Sequence, residues 1–382
     1  MLEDEAHAIH DSLLTIDSHI DTGPGFSTAR LDPGGFTRAQ VDLPGMRVGG
    51  LDAGFFIVYT QQGPLNEAGY AAAREAAEEK FRGIERMIQA YPERIGLART
   101  ADDVATIAAS GRLVALIGME NAYPLGEGVV DVPMWAARGV RYISMTHFGH
   151  NQFGSSSDPN TANGDRDDDL GLTELGGSLV MACNAAGVMI DISHVGRRTG
   201  LEALALSRAP VIASHSGARS VHDNPRNLDD SQLQAIAAAN GVAQMVALRS
   251  YVADVDPAMA NALATLRSRL GLTSGAVFQQ AAPALLDEYA RERSSIRAEH
   301  PDVTLAQFVD HVDHAVKVAG IDHVGLSGDF DGGGGVQGWD GADESFNLTR
   351  ELLNRGYEHD DLAKLWGGNI LRVMRSAQKM AL

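Results

Sequence analysis

The feature that most constrains the fold of this chain is a regular alternation of short β-rich runs with longer helical patterns. Eight runs rich in apolar and β-branched side chains lie at Leu13–Ser18, Ala53–Tyr59, Leu113–Gly118, Arg141–Thr146, Val188–Ser193, Val211–Ser214, Val242–Leu248 and Val324–Ser327. Several are apolar nearly throughout, which is typical of parallel strands covered on both faces. The alternation predicts an α/β fold, a (β/α)8 barrel of the TIM type. A doubly wound open sheet alternates in the same way and stays open as an alternative.

The segments between these runs carry apolar residues at helical spacing. Clear examples are Ala71–Tyr91, Thr173–Ala186, Arg198–Ser207 and Asp229–Asn240. Two connections are long, at 60–112 and 249–321, and the second predicts a long helical insertion before the last strand. Because no repeat, low-complexity tract or linker interrupts the 382 residues, we expect a single elaborated domain.

Charge and cysteine content exclude several classes of protein. Lys and Arg total 31 against 50 for Asp and Glu, so the net charge of −19 opposes binding to nucleic acid. The single cysteine, Cys183, excludes an internal disulfide framework. The first twelve residues carry four acids and no base, unlike a signal peptide, and the apolar run at 55–59 is too short to span a bilayer. We therefore expect a soluble, cytoplasmic protein.

Metal-ligand residue types follow directly on six of the eight predicted strands. They are His19 and Asp21 after the first, Glu120 after the third, His147, His194 and His215 after the fourth to sixth, and Asp329 and Asp331 after the eighth. One histidine after a strand is more often a hydrogen-bonded structural residue than a ligand. Their repetition favours a site, because the carboxyl ends of barrel strands form the face that holds the active site.

The spacing of these residues favours two metal ions. His19 and Asp21 are two apart on a strand, so they point the same way and can chelate one ion. His194 and His215 can hold a second ion, with Glu120 placed to bridge both. Two metals about 3.5–4 Å apart can share a hydroxide nucleophile and polarise a carbonyl.

Two other sequence features exclude a modified lysine as the metal bridge and argue against a dinucleotide cofactor. None of the four lysines (Lys80, Lys317, Lys364 and Lys379) follows a predicted strand, which excludes a bridge by a modified lysine. Gly333, Gly335 and Gly338 match the GxGxxG spacing, but no convincing helix follows them. We interpret this segment as a flexible substrate loop and not as a dinucleotide site.

From about Ile16 to Val373 the chain resembles the membrane (renal) dipeptidase family of the metal-dependent amidohydrolase superfamily. The resemblance is carried by five motifs, namely Asp17-Ser18-His19-Ile20-Asp21, Asp191-Ile192-Ser193-His194, Ser214-His215-Ser216, Pro225-Arg226-Asn227-Leu228 and Gly328-Asp329-Phe330-Asp331-Gly332. It implies a (β/α)8 barrel with two zinc ions per chain that hydrolyses dipeptides. The segments from Thr22 and from Arg249 depart from the family pattern, so side-chain preference is not predicted.

The resemblance also implies individual roles. It assigns His19 and Asp21 to the first zinc, Glu120 to the bridge, His194 and His215 to the second zinc, His147 to the scissile carbonyl oxygen, Arg226 to the substrate carboxylate and Asp329 to general acid/base catalysis. A carboxylate clamp at Arg226 is largely indifferent to the configuration of the adjoining carbon. We therefore expect a D-residue to be accepted at the C-terminal position.

Two other functions stay open at this point. A deaminase or lactonase of the same superfamily is one, although a deaminase usually has a His-x-His pair on the first strand, where this chain has His19-x-Asp21. A non-catalytic ligand-binding barrel is the other, but the set of ligands is complete. As partners we expect a small dipeptide, no nucleic acid and no membrane, and we leave a homodimer open.

Overall fold

A parallel sheet forms the centre of the protein in a computed structural model that describes residues 3–23, 25–273 and 275–381. Within those residues the strands are β1 (Ile16–Asp21), β2 (Ala53–Tyr59), β3 (Ile95–Leu97), β4 (Leu113–Glu120), β5 (Val140–Ser144), β6 (Met189–Asp191), β7 (Ile212–Ser216), β8 (Val242–Val246) and β9 (Val324–Ser327). Eight strands pair in the order β1-β2-β4-β5-β6-β7-β8-β9, and β3 pairs with β4 beside this path. The Asp21 amide donates to the Phe330 carbonyl at 2.8 Å, which joins β1 to the segment after β9. The predicted (β/α)8 barrel is confirmed.

Helices occupy most of the connections between strands. The described α-helices are α1 (Glu3–Ser12), α2 (Leu43–Gly49), α3 (Glu67–Ala90), α4 (Ala101–Ala109), α5 (Val132–Arg138), α6 (Glu174–Ala186), α7 (Arg197–Leu206), α8 (Asp230–Ala238), α9 (Arg249–Val252), α10 (Pro257–Arg269), α11 (Gly275–Gln280), α12 (Pro283–Glu299), α13 (Leu305–Ala319), α14 (Ser345–Asn354), α15 (His359–Ala363) and α16 (Asn369–Met380). Single 3-10 turns lie at Tyr123–Leu125, Thr161–Asn163, Ile321–His323 and Ala342–Glu344, and a π-helical turn lies at Lys364–Gly368. No helix among the described residues combines the length and apolar character needed to cross a membrane.

The predicted elements are present with shifted ends. All eight predicted strands occur, while β3 is an additional strand of three residues. Helix α3 begins at Glu67, four residues before the predicted start, because the Asn66 side chain accepts the Gly69 amide and caps the helix. The predicted cap Asp229 forms a capping box with Gln232 at the start of α8.

Successive side chains along the strands belong to two different buried layers. Phe55 on β2 and Leu116 on β4 pack in one cluster together with residues of α16. The adjacent Phe56 and Ile117 pack in the other, larger cluster, which includes most of the surrounding helices. Because successive strand side chains point to opposite faces, all strands except β3 and β9 contribute to both layers, and the barrel is filled.

Register irregularities direct two candidate ligands toward the barrel centre. The pairing of β1 with β2 shifts between Asp17 and Ile20, and a similar shift in β7 precedes Ser216. Such irregularities re-aim side chains and are common beside active sites. Here they bring His19 and His215 within reach of Glu120 on β4.

The chain between β8 and β9 covers the carboxyl end of the barrel on one side. Helices α9–α13 lie in the interval where an insertion is predicted. Five buried residues form a small separate core there, namely Leu266, Leu272, Ala281, Leu286 and Tyr289. These helices supply one wall of the cavity described below.

Candidate metal centre

The Glu120 carboxylate lies at the centre of the predicted site. Its Oε2 atom is 3.6 Å from His19 Nε2, on one side. Its Oε1 atom is 3.1 Å from His194 Nε2 and 3.3 Å from His215 Nε2, on the other. The two oxygens of one buried carboxylate therefore face two different sets of imidazole nitrogens, as a bridging ligand requires.

Two further acidic side chains lie near His19. Asp21 Oδ2 lies 3.6 Å from His19 Nε2, and Asp329 Oδ1 lies 4.0 Å from the same nitrogen. His19 Nε2 is buried without a hydrogen-bond partner among the described residues. A buried nitrogen in that state is unusual in a protein and is typical of a metal ligand. The residues present thus fit a divalent cation at this position.

Hydrogen bonds behind two histidines fix which nitrogen faces the site. The Tyr142 hydroxyl donates to the Ser18 carbonyl at 3.1 Å, so it accepts from His19 Nδ1 at 2.9 Å. Likewise the Ser214 hydroxyl donates to Asp191 Oδ2 at 2.6 Å and accepts from His215 Nδ1 at 2.8 Å. In both imidazoles these contacts place a proton on Nδ1 and turn Nε2 toward Glu120. Such outer partners orient metal ligands and hold the tautomer.

The residues behind the histidines were not identified in the sequence as part of the site. Asp191 and Ser214 lie within the motifs that contain His194 and His215, so proximity in sequence is a signal for both. Tyr142 carries no comparable signal, since it is 123 residues from its partner His19.

Buried aspartates tie the ligand-bearing strands together. Asp17 accepts the backbone amides of His19 at 3.0 Å and of Gly328 at 3.0–3.1 Å. Burial raises the pKa of Asp17 to about 7, against the effect of these hydrogen bonds. Asp191 accepts the amides of Ser193 and Ser214 in the same manner. Each aspartate thereby connects the backbones of neighbouring strands directly below the site.

The backbone is strained at two of the site residues. His194 has a φ of 68° and Asp329 a φ of 50°, both in the left-handed region. Each such conformation costs on the order of 1–3 kcal/mol in a residue other than glycine and clusters at functional sites. The fold therefore maintains these side-chain positions at the expense of stability.

Burial and neighbouring charges set the protonation of the site. Burial lowers the pKa values of His194 and His215 well below the ordinary histidine value, so both rings are neutral as metal binding requires. Burial disfavours the charged form of Glu120, but His19 and His147 outweigh it and hold the pKa of Glu120 well below its ordinary value. Burial disfavours the charged form of His19, but Glu120 and Asp21 outweigh it and raise the pKa of His19 well above its ordinary value. Without a bound cation, the site therefore presents an ionised Glu120 between a charged His19 and the neutral rings of His194 and His215.

His147 and Asp329 lie at the edge of this group. His147 Nε2 is 3.9 Å from Glu120 Oε1, and the His147 ring contacts the rings of Tyr59 and Phe148. Burial lowers the pKa of His147. Burial raises the pKa of Asp329 well above its ordinary value, an effect that His19 opposes and Asp21 reinforces.

Arg226 is a buried cation next to the same histidines. It is 3% exposed, and its Nη2 atom donates to the His215 carbonyl at 3.1 Å. Its guanidinium carbon lies 5.1 Å from the centre of the Tyr251 ring, a neighbour that the sequence did not indicate. Within the described residues Arg226 Nε has no hydrogen-bond partner and no carboxylate forms an ion pair with this side chain. Arg226 thus keeps a charge that the surrounding protein does not neutralise.

A cavity of about 530 Å³ opens onto these residues. Asp21, Glu120 and His147 line it on the barrel side. The opposite wall comes from the helices between β8 and β9, and includes Arg267, Leu272, Phe278, Leu286, Tyr289 and Arg293. Imidazoles and carboxylates at the carboxyl ends of barrel strands, beside a cavity of substrate size, define a metal-dependent hydrolase.

Comparisons with known proteins identify the family. The model of the membrane dipeptidase family (peptidase family M19) matches residues 3–382. Dipeptidase aclJ of Aspergillus oryzae is 29% identical over 350 residues, which cover 90% of this chain and 71% of that protein. The chain belongs to the membrane dipeptidase family, and it is a metal-dependent dipeptidase.

Solved structures agree with this assignment. The probable dipeptidase PvdM from Pseudomonas aeruginosa is 33% identical and superposes with a TM-score of 0.86, covering 99% of this chain and 98% of that one. A metallopeptidase from Rhodobacter sphaeroides, liganded with a phosphinate mimic of the dipeptide L-Ala-D-Ala, is 23% identical with a TM-score of 0.73 over 96% of this chain and 99% of that one. The second similarity shows a shared fold. The predicted family and enzyme class are confirmed, while the roles of single residues stay predictions.

Proposed function

We propose that this protein is a binuclear zinc dipeptidase that hydrolyses free dipeptides and accepts a D-residue at their C-terminal position. The observation that carries the proposal is the Glu120 carboxylate, whose two oxygens face His19 on one side and His194 with His215 on the other. A single ion would use one of these sets, whereas two ions explain both.

The metal ions would supply a water-derived nucleophile at neutral pH and Lewis-acid polarisation of the scissile carbonyl. His19 and Asp21 would hold one ion, His194 and His215 the other, and Glu120 both. Imidazole with carboxylate oxygen is a typical zinc ligand set, which supports zinc over a harder cation.

Side chains of the protein would stabilise the developing negative charge and transfer protons. His147 lies beside Glu120 at the cavity wall, where it can donate a hydrogen bond to the oxygen that gains negative charge. Asp329 lies on the other side, 4.0 Å from His19 Nε2. Because burial raises the pKa of its carboxyl, Asp329 can take a proton and return it to the leaving amine.

Arg226 would set the length of the substrate. Its buried, un-neutralised guanidinium offers two parallel donors to a carboxylate. If it holds the free C-terminal carboxylate one residue beyond the scissile bond, tripeptides fit poorly. A planar clamp contacts the carboxylate and not the adjacent carbon's substituents, which supports acceptance of a D-residue.

The test is to load the purified protein with zinc, count the metal by elemental analysis and assay dipeptides with L- or D-residues at the C-terminal position. We expect two zinc ions per chain and hydrolysis of free dipeptides but not of tripeptides. One ion per chain would reject the two-metal site, cleavage of tripeptides as fast as dipeptides would reject the length limit, and no cleavage of any dipeptide with a C-terminal D-residue would reject its acceptance. The cytoplasmic location and the homodimer stay predictions.

The proposed binding of the substrate carboxylate by Arg226 leads to a separate prediction. Wild type should strongly prefer a dipeptide to its C-terminal amide, and Arg226→Ala should lose that preference, because about 2–5 kcal/mol of charge-assisted binding disappears from kcat/KM. Steady-state kinetics on the acid and amide pair measure this, with Arg208→Ala as a matched control, because Arg208 is exposed and lines neither the cavity nor the depression at Arg226. An equal preference in both enzymes would remove Arg226 from the substrate site.

A further inference from the structure

The cavity contains more positive charge than the proposed reaction uses. Four cationic side chains line it, namely Arg38, Lys80, Arg267 and Arg293. The chain as a whole carries a net charge of −19 and only four lysines, one of which lies here. A cationic wall inside an acidic protein indicates a specific anionic partner.

Two of these four cations, Arg267 and Arg293, have no close acidic partner. Arg38 forms an ion pair with Asp287 at 3.0 Å. Lys80 Nζ donates to the Thr22 carbonyl and interacts electrostatically with Asp21, Asp331 and Glu120. No carboxylate of the described chain lies within ion-pair distance of Arg267 or Arg293, although Asp331 interacts with Arg293 at longer range. The acids that line the same cavity are Asp21, Glu120 and Asp331, all at the strand ends, and the first two are proposed metal ligands.

Two of the cations converge on one aromatic ring. The guanidinium carbons of Arg267 on α10 and Arg293 on α12 lie 5.7 Å and 5.9 Å from the centre of the Tyr289 ring. Arg267 Nε donates to the Tyr289 hydroxyl at 3.2 Å, while Arg293 Nε is buried and has no hydrogen-bond partner among the described residues. An unused buried guanidinium donor is costly unless a ligand accepts from it.

Apolar side chains surround this pair of arginines. Leu272, Phe278 and Leu286 line the same part of the cavity. A group bound here would therefore place an aliphatic segment against these side chains and an anionic end at the guanidinium groups. This combination fits a carboxylate on a flexible side chain better than a bare inorganic anion.

The position of this wall relative to Arg226 identifies the substrate residue. Arg226 lines a separate depression together with His194 and Ser216, and not the large cavity. If the C-terminal carboxylate binds at Arg226, the N-terminal residue extends across the metal centre into the large cavity. Its side chain then points toward α10 and α12.

We infer that Arg267 and Arg293 form a subsite for a negatively charged side chain on the N-terminal residue of the dipeptide, with glutamate preferred. This inference rests on the proposed function and adds its substrate class. The uncharged isostere glutamine fills the same volume but leaves the arginine donors unpaired.

The test compares kcat/KM for L-Glu-L-Ala and L-Gln-L-Ala, two substrates of nearly equal size. Wild type should prefer the glutamyl dipeptide by about tenfold or more, since hydrogen bonds to charged groups contribute more than neutral ones. In Arg293→Gln and Arg267→Gln the ratio should fall toward one. In Arg293→Glu it should invert, and L-Lys-L-Ala should become the better substrate.

The matched control is Arg291→Gln, because Arg291 lies on the same helix but is exposed and does not line the cavity. It should keep the wild-type ratio, and thermal melts check that all variants fold. A wild-type ratio near one, or the same ratio in Arg293→Gln as in Arg291→Gln, would overturn the inference while leaving the dipeptidase proposal intact. Absence of cleavage of both substrates by wild type would overturn the proposed function and this inference with it.

Discussion

At the scale of single residues, Asp329 allows a clean separation of proton transfer from metal binding. Asparagine tolerates the left-handed backbone that this position requires, so Asp329→Asn removes the titratable oxygen without adding backbone strain. We expect the variant to keep its metal and to lose kcat by about 10²- to 10⁴-fold, the usual contribution of a general acid or base. Elemental analysis and kcat measurements on the same preparation check both parts, and full activity would exclude Asp329 from proton transfer.

Glu120 is the residue on which the two-metal interpretation depends. In Glu120→Gln a neutral amide replaces the carboxylate between His19 and the other two histidines, and an amide bridges two cations poorly. We expect the metal content to fall at both sites and activity to be lost. Elemental analysis beside the exposed control Glu127→Gln measures this. Tight binding of two zinc ions by Glu120→Gln would show that the bridge is wrong.

At the scale of elements, His10 couples the N-terminal helix to two others. Its Nε2 atom donates to the Gly49 carbonyl of α2 at 2.9 Å, and its Nδ1 atom accepts from the Thr349 hydroxyl of α14 at 2.7 Å. Burial lowers the pKa of His10 from 6.5, so the folded protein favours the neutral ring. The stability from this contact is therefore complete above pH 6.5 and decreases as the pH falls toward the lowered pKa, because the unfolded chain then binds a proton first.

This coupling can be measured by thermal or denaturant unfolding at pH 7.5 and 5.5. Wild type should lose up to about 1.4 kcal/mol per pH unit below 6.5 through His10, and His10→Gln should show a correspondingly smaller loss. His7→Gln, which alters an exposed histidine of the same helix, should follow wild type. A pH dependence identical in wild type and His10→Gln would contradict the assignment.

At the scale of the whole molecule, the metal centre should stabilise the barrel as well as catalyse. The candidate ligands come from β1, β4 and β7 and from the segment after β6, so bound ions would connect strands on opposite sides of the barrel. A ligand at a hundredfold excess over its Kd stabilises the folded state by about 2.7 kcal/mol. Chelation should therefore abolish activity and lower the Tm in calorimetry. Re-added zinc should restore both, and an unchanged Tm after complete metal removal would contradict a structural role.

The architecture of the whole molecule was predictable because it depends on local patterns. Apolar runs of strand length and helical periodicity recur along the chain, and each is visible within about twenty residues. The short β3 was not predicted, since three residues carry too little pattern. The ends of α3 and β1 were also displaced, because caps and the pairing partner decide where an element stops.

The sequence by itself determined which residues stand at the strand ends, and barrel geometry brings those ends to one face whatever their separation along the chain. The sequence did not determine which residues contact and position these side chains. The hydrogen bond from His19 to Tyr142, the proximity of Tyr251 to Arg226 and the cationic wall around Tyr289 join segments that share no periodic signal. Only the tertiary structure decides these contacts. They depend on strand register and on how helices pack over the barrel, and both are set by segments that are distant along the chain.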